Sequence, residues 1–432
     1  MVSVPGARVA FDAREPGTPA SAWTERIAAL PAFDLGRYAG LLVVAAHPDD
    51  ETLGAGGVIR DASGRGLPVH VVVATDGAPG GDAAIADVRR QELAAAVEEL
   101  APGARVTTWT HPDAATGSRR DELRADLAAL VAATPEDWLI VAPWPGDGHH
   151  DHRVVGELVT EVAAGRPTAS YPIWMWHWAD PADDRVPWAR MVRAAGDAEA
   201  KRAALDRYPS QAAGDDPLLG PGILEHFLRD DDVLVVDALP AGYFDDLYAR
   251  HDDPWGFEGR WYERRKRDVT LASLPAERYG TALELGCSIG VLTDGLADRV
   301  DDLLAVDISE AALDRARARV GDRARFVRHD LRDGIPAGRF DLVVISEVGY
   351  YLTRDPLRRL LAEARDALTD AGVLVVCHWR HPVRDYPLTG DEVHAELGGL
   401  GLAQLASHVE RDFVLDVLGR DPRSVAERAG LA

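Results

Sequence analysis

Twice along this chain, short apolar runs of strand length alternate with stretches whose apolar residues recur at helical spacing. That repetition constrains the fold more than any other feature. The first series holds LLVVAA (41–46), VHVVVAT (69–75), RVTTWT (105–110), WLIVAP (138–143), YPIWMWHW (171–178) and VLVVDA (233–238). Helical spacing follows the first run to about Arg65 and returns over 84–100, 121–133 and 196–207. The second series holds TALELGC (281–287), LLAVDI (303–308), ARFVRHD (324–330), DLVVISE (341–347) and GVLVVCHW (372–379). Between the two, residues 239–270 are rich in aromatics and charge. Apolar runs bounded by polar turns read as buried strands, and strands alternating with helices read as a parallel sheet covered on both faces. At 432 residues the chain exceeds one ordinary core. The expectation is α/β, with two doubly wound Rossmann-like domains over 1–238 and 239–432. A Pro/Gly/Ala-rich arm at 1–38 is expected to lie on the first. Thr389 with Glu392 forms a capping-box pattern that predicts a late helix.

Acidic residues number 71 and basic residues 47, for a net charge of −24. A nucleic-acid binder, or a protein held to anionic lipid by charge, needs a basic surface, so neither is expected. No apolar run approaches the ~18 residues of a membrane span. The opening MVSVPGARVAFDAREPG lacks the basic start and apolar stretch of a secretory leader. Cys287 and Cys377 stand outside any C-x-x-C pair. A disulfide framework is therefore excluded, a reducing cytoplasm fits, and both cysteines read as inert buried thiols on strands. Lys201 and Lys266 are the only lysines; every other basic residue is arginine.

His47-Pro48-Asp49-Asp50-Glu51 follows the first strand, and Asp147-Gly148-His149-His150-Asp151-His152 follows WLIVAP. Ligands of open α/β sheets sit at the carboxyl ends of strands, so both clusters can meet at one edge. A hydrolytic metal site needs about three protein ligands and an open position. His47, Asp50 and His152 supply two imidazoles and a carboxylate, a set that suits zinc or another divalent metal. Asp49 and His149 remain for proton transfer. Taken singly, Asp49 and Asp50 also read as helix caps, and His149–His152 as a solvated turn.

AHPDDE with the later His149-x-x-His152 resembles the PIG-L/LmbE N-deacetylases, over about residues 40–238. KRAALDRYPSQ (201–211) is similar to that family's late K…Y-x-S-Q segment, while His150 stands where the family usually has proline. The resemblance implies metal-dependent removal of an acyl group, usually acetyl, from amino sugars and related N-acyl compounds. It implies His47, Asp50 and His152 as metal ligands, Asp49 as general base, and His149 as general acid or oxyanion stabiliser. Arg90 and Asp113 sit where the family places substrate-binding groups; equally, they read as a surface helix residue and a loop cap. If 171–178 is a strand, Trp174, Trp176 and Trp178 share one face, which either stacks on a sugar ring or packs beneath a helix.

In the second series, Glu284-x-Gly286-x-x-x-Gly290 leads from a strand into a helix, where glycines let the backbone approach a ligand. Asp307 ends the next strand about 20 residues after Gly286, the offset of an acidic residue that holds a ribose. The frame lacks the first glycine of a dinucleotide site and matches instead the form used by class I S-adenosylmethionine (SAM) methyltransferases. Asp330 would face the adenine edge, and Glu347 closes the fourth strand near the methyl group. YFDDLYARHDDPWGF, WYERRKRD, ALELGCSIGVLT, SEVGYYL and CHWRHP-x-x-x-YPLTGDEVH together resemble the nodulation-type (NodS) N-methyltransferases, from about Tyr243 onward. That resemblance implies SAM contacts at Glu284, Gly286, Gly290, Asp307 and Asp330. Tyr262, Arg265 or Arg267 are candidates for its methionine end. Glu347, Tyr350, His378 and Trp379 are candidates on the acceptor side, with Glu347 or His378 draining the proton of an amine.

Together these features predict a bifunctional enzyme acting on a small-molecule or oligosaccharide substrate. It would N-deacetylate an amino-sugar-containing compound and then N-methylate the freed amine. Three alternatives stay open: methyl transfer to a hydroxyl or carboxylate, two unrelated steps, or one domain that only presents substrate.

Overall fold

The computed structural model describes residues 11, 15–78, 81–111, 113, 116–163, 166–212, 219–383 and 386–431. The chain divides into two compact units, Met1–Asp237 and Ala238–Ala432. Of the expected arm, residues 1–10 and 12–14 lie outside the described residues. Its remainder buries Trp23 against Trp176, with ring centroids 5.0 Å apart and nearly perpendicular.

The first unit contains strands β1 (Gly40–Ala45), β2 (Val69–Thr75), β3 (Arg105–His111), β4 (Trp138–Pro143), β5 (Thr168–Tyr171), β6 (Met191–Ala195) and β7 (Asp231–Val236). They form one sheet in the order β3-β2-β1-β4-β5-β7-β6. The five strands from β3 to β5 run parallel, while β7 is antiparallel to β5 and β6 antiparallel to β7. Alternate residues of β1 feed opposite faces. Leu41, Val43 and Ala45 enter one apolar cluster, and Leu42 and Val44 another. Burial on both faces is why the strand reads as an unbroken apolar run.

The second unit contains β8 (Tyr279–Leu285), β9 (Val300–Asp307), β10 (Arg325–Arg328), β11 (Phe340–Ser346), β12 (Leu368–Trp379), β13 (Ala403–Val409) and β14 (Phe413–Gly419). Their order is β10-β9-β8-β11-β12-β14-β13, with β14 antiparallel to both β12 and β13. Both units are thus α/β with mixed seven-stranded sheets, parallel at the centre and antiparallel at one edge. In each, the strand order reverses beside the first strand, between β1 and β4 and between β8 and β11. A crevice opens there at the carboxyl ends.

Three local expectations are corrected. Residues 171–178 are not a strand: β5 ends at Tyr171 and Met175–Trp178 is a helical turn. At about 100° per residue the three tryptophans cannot share a face. Trp176 is buried, and Trp178 Nε1 donates to the Asp147 carbonyl at 2.7 Å. Cys287 is buried but lies beyond the end of β8, not on it; Cys377 is buried within β12. Strands β6, β13 and β14 were not anticipated. The capping box at Thr389 and Glu392 does start a helix, Gly390–Ala395.

Helix Asp50–Gly64 packs on the sheet through its glycines. A Cβ at Gly54 would lie 2.0 Å from the Tyr171 ring, whose hydroxyl donates to the Val44 carbonyl at 3.0 Å. Gly54→Ala is therefore expected to lower stability by about 1–3 kcal/mol despite alanine's better helix propensity. Denaturant unfolding of wild type and variant checks this.

Candidate functional site

In the first unit, β1 runs into Asp49, whose φ of +130° is disfavoured for any residue with a side chain. Such strain persists only where the surroundings hold it. Glu51 Oε2 accepts from Asp49 N at 3.1 Å, and Asp50 Oδ2 accepts from His47 N at 2.8 Å. The 201–211 segment braces the same loop. Gln211 Nε2 donates to the Pro48 carbonyl at 2.6 Å, Tyr208 OH donates to Glu51, and Lys201 Nζ donates to the Leu53 carbonyl at 3.1 Å. Lys201 is also ion-paired with buried Asp232.

From the end of β4, His149 and His152 come to the same place, His149 as the residue that precedes helix His150–Val162. His152 Nε2 lies 3.1 Å from Asp50 Oδ1, and His47 Nδ1 lies 3.3 Å from Asp50 Oδ2. Nitrogens of His47, His149 and His152 fall within 4.8 Å of one another. His152 Nδ1 is 2.6 Å from Asp147 Oδ2, and Asp147 Oδ1 accepts from Ile173 N and Met175 N. A proton held between Nδ1 and Asp147 leaves a lone pair on Nε2, the arrangement that orients a metal-ligating histidine. His152 Nε2 and His149 Nδ1 are buried without hydrogen-bond partners, the former out of alignment with Asp50. Orphaned buried nitrogens beside a carboxylate are what a divalent cation would complete.

The carboxylates around the imidazoles set the field of the site. Burial opposes a charge on His152, but Asp50 and then Asp147 push it up to about 9. Burial likewise works against the Asp50 carboxylate, yet His152 and His47 hold it well below the usual range. Asp49 is pushed well up, first by burial and then by Asp50. Burial, then His152 and His47, pull His149 down to about 4, leaving a neutral imidazole.

Asp113 is brought to the cluster, 3.2 Å from His47 Nε2. Asp151, inside the His149–His152 cluster, is fully buried with Oδ2 3.1 Å from the same nitrogen. Its one signal was its place inside the His149–His152 cluster. Arg90 is a correction: it pairs with Asp87 at 2.6 Å on an exposed face. Its neighbour Arg89 turns inward instead, donating to the Gly77 carbonyl and acting on Asp49 electrostatically.

The second unit has a cleft at the carboxyl ends of β8, β9 and β11. Gly286 and Gly290 have φ of +73° and +77°, and Ser288 between them +51°. A Cβ at Gly290 would lie 2.9 Å from Ala316 Cα, so the turn into helix Val291–Ala297 needs glycine there. Asp307 Oδ2 accepts from Ser288 N at 2.8 Å and Oδ1 from Ser309 N at 3.0 Å. Burial raises the Asp307 pKa, though those backbone donors hold it down in part. Glu284 is 2% exposed, lines the cleft, and its Oε2 has no partner. Burial pushes it up to about 8. An unpartnered carboxylate oxygen at a cleft wall fits a ligand carrying cationic or N–H groups. Asp330 also lines the cleft, gripped by the Arg332 guanidinium.

Glu347 lines the cleft from a φ of +59° at the end of β11. His378 does not face it, and its expected role in draining a proton is corrected. It is 0% exposed and its Nε2 accepts from Gly349 N at 3.0 Å. Nδ1 must then carry the proton toward His394 Nε2 at 3.2 Å, and His394 Nδ1 lies 2.6 Å from Asp416. Burial drives the His378 pKa well down, and no lone pair remains for a substrate. Tyr351, not Tyr350, lines the cleft; Tyr350 OH donates to Glu347 from behind. Trp379 meets Glu347 through its backbone N–H at 3.2 Å. Arg265 pairs with Glu410 at 2.6 Å, whereas Arg267 lines the cleft and donates to the Phe257 carbonyl at 2.7 Å.

Asp147 supplies a test of the metal geometry. Asp147→Asn removes the carboxylate that orients His152 and is expected to weaken divalent-metal binding about 10–100-fold. Metal titration of the two proteins checks it.

Comparison with known proteins gives a separate assignment to each unit. Residues 42–163 match the family described as GlcNAc-PI de-N-acetylase (PIG-L), and residues 282–372 the family described as Methyltransferase domain. The chain is 36% identical over 104 residues to nodulation protein S of Rhizobium tropici, covering 23% of this chain and 44% of that protein. It thus spans less than half the length of that relative. It is 29% identical over 194 residues to 1D-myo-inositol 2-acetamido-2-deoxy-alpha-D-glucopyranoside deacetylase of Nocardia farcinica, covering 38% of this chain and 63% of that protein. The crystal structure of N-methyltransferase NodS from Bradyrhizobium japonicum WM9 in complex with S-adenosyl-L-homocysteine is 24% identical. It is matched over 42% of this chain and 99% of that one, with a TM-score of 0.39. The chain therefore joins an N-terminal domain of the PIG-L de-N-acetylase family to a C-terminal methyltransferase domain.

Proposed function

We propose that the first unit hydrolyses the N-acetyl amide of an amino sugar or related N-acyl metabolite, and that the second transfers a methyl group from SAM to the freed amine. The observation that carries the first half is His152 Nε2, buried without a hydrogen-bond partner, its ring held by Asp147 and the nitrogen set 3.1 Å from Asp50 Oδ1. His47, Asp50 and His152 would hold zinc or another divalent cation, which when bound activates water and polarises the acyl oxygen. Asp49 takes the proton of the attacking water and returns it to the departing amine. His149 offers a neutral ring N–H to the oxyanion. Asp113, on the His47 edge, holds the sugar.

In the second unit, Glu284, Gly286, Gly290, Asp307 and Asp330 would hold SAM, which supplies an electrophilic methyl on a sulfonium. Glu347 orients the acceptor nitrogen. Deacetylation comes first, because an amide nitrogen's lone pair is delocalised into its carbonyl, the resonance that keeps a peptide bond planar. The substrate is a small molecule or oligosaccharide. Among the described residues no helix is long and apolar enough to cross a membrane. The proposed setting is the cytoplasm, where two buried free thiols stay reduced.

N-acetylglucosamine incubated with the full chain, a divalent metal and SAM is expected to yield the N-methyl amine, followed by mass spectrometry. Asp49→Ala should yield no product from the acetylated sugar yet methylate glucosamine. Asp307→Ala should stop at the free amine, with SAM affinity down about ten- to a hundredfold for the loss of charge-assisted ribose contacts of ~1.5–3 kcal/mol. Methylation of the acetylated sugar by Asp49→Ala at the wild-type rate would overturn the N-methyl reading in favour of a hydroxyl acceptor.

A further inference from the structure

The chain's two lysines, among 47 basic residues, are both buried and both ion-paired. Lys266 stands at the cleft wall, on helix Trp261–Ala272. Its Nζ lies 2.8 Å from Glu347 Oε1 and 2.9 Å from Glu263 Oε2, with the Tyr262 ring centroid at 5.2 Å. Two carboxylates and a ring face thus enclose the ammonium. A compact ammonium fits between two carboxylates where a planar guanidinium would not.

The consequence falls on Glu347. Its Oε2 takes two donors, the Tyr350 hydroxyl and Trp379 N–H, while Oε1 takes one, Lys266. Each carboxylate oxygen has two acceptor positions, so one remains, on Oε1. The Glu347 side chain is 12% exposed and lines the cleft. An anion held by three donors is a fixed receiver for one N–H.

We propose that Lys266 is a positioning residue that holds Glu347 so that the one remaining lone pair of Oε1 receives an N–H of the methyl acceptor, a function that rests on the N-methylation reading above. The nitrogen lone pair is then aimed by the N–H opposite it, and the proton displaced on methylation leaves to solvent. Burial works against the charge on Lys266, but Glu347 and then Glu263 keep its pKa above that of an ordinary lysine. The anchor therefore stays charged throughout the neutral range.

The test uses the full chain with glucosamine as acceptor. Lys266→Met is expected to raise the glucosamine KM by about tenfold or more while SAM affinity, read by calorimetry, changes less than about threefold. Lys266→Arg should not restore the KM. The double variant Lys266→Met/Glu347→Gln, which leaves no stranded carboxylate at 347, should be no worse than Glu347→Gln alone, because the two residues act as one unit. It also answers the question if Lys266→Met folds poorly. A wild-type KM in Lys266→Met, or additive losses in the double variant, would overturn the inference. Parallel losses in SAM affinity and thermal stability would likewise reduce Lys266 to a structural ion pair. Failure of the wild-type chain to methylate glucosamine or any other amine would instead overturn the N-methylation reading, and this inference with it.

Discussion

Buried charge at the carboxyl ends of the central strands is the constraint on which both units depend. Isolated, each such group would cost several kcal/mol, so each must find a partner. Asp50 has His47 and His152, Glu51 has Tyr208, Asp147 has His152, and Asp232 has Lys201. In the second unit Glu347 has Lys266, and Asp307 has the backbone N–H groups of Ser288 and Ser309. His152, Tyr208, Lys201 and Lys266 reach their partners from elements far away in sequence, so the site and the fold around it are one cooperative structure. Against that background the exceptions carry information. His149 Nδ1 and Glu284 Oε2 are buried without hydrogen-bond partners, as is His152 Nε2 apart from its ionic contact with Asp50.

The two units use one architecture with different chemistry. Both place their motifs where the strand order reverses, because that is where the chain segments leaving adjacent strands diverge and open a crevice. The first fills the crevice with imidazoles and carboxylates, which suits a cation. The second lines it with a positive-φ turn and aromatic walls, including Tyr248 and Trp255, which suits a larger flat ligand. Non-glycine residues with positive φ occur at Asp49, Ser288 and Glu347, each within one of these motifs. Strain is thus concentrated where a side chain must be aimed against its backbone preference.

Much of the fold was legible because strands buried on both faces write continuous apolar runs, as in LLVVAA and VHVVVAT. Edge strands do not. The burial of β13 alternates between half-buried and exposed, and its sequence AQLASHV carries no strong run. The failure at YPIWMWHW has a different cause. Its alternating tryptophans mimic a strand, yet the backbone turns because Asp147 Oδ1 captures the N–H groups of Ile173 and Met175. That carboxylate belongs to a different loop, and no local pattern announces it.

What the sequence determined by itself is which chemistry stands at which strand end. The order strand, His47-Pro48-Asp49-Asp50, then strand, His149-x-x-His152 is local, and strand periodicity alone carries both motifs to one sheet edge. The same holds for Glu284, Gly286, Gly290 and Asp307. Only the tertiary structure decided which of two adjacent residues turns inward. Arg89 rather than Arg90 turns inward, to the Gly77 carbonyl, and Tyr351 rather than Tyr350 meets the cleft. His378 is sealed behind Gly349, and Asp151 closes on His47. A change of one residue rotates a helical side chain by about 100°, and the partner that selects among such orientations lies on another element, brought near only when the sheet has formed.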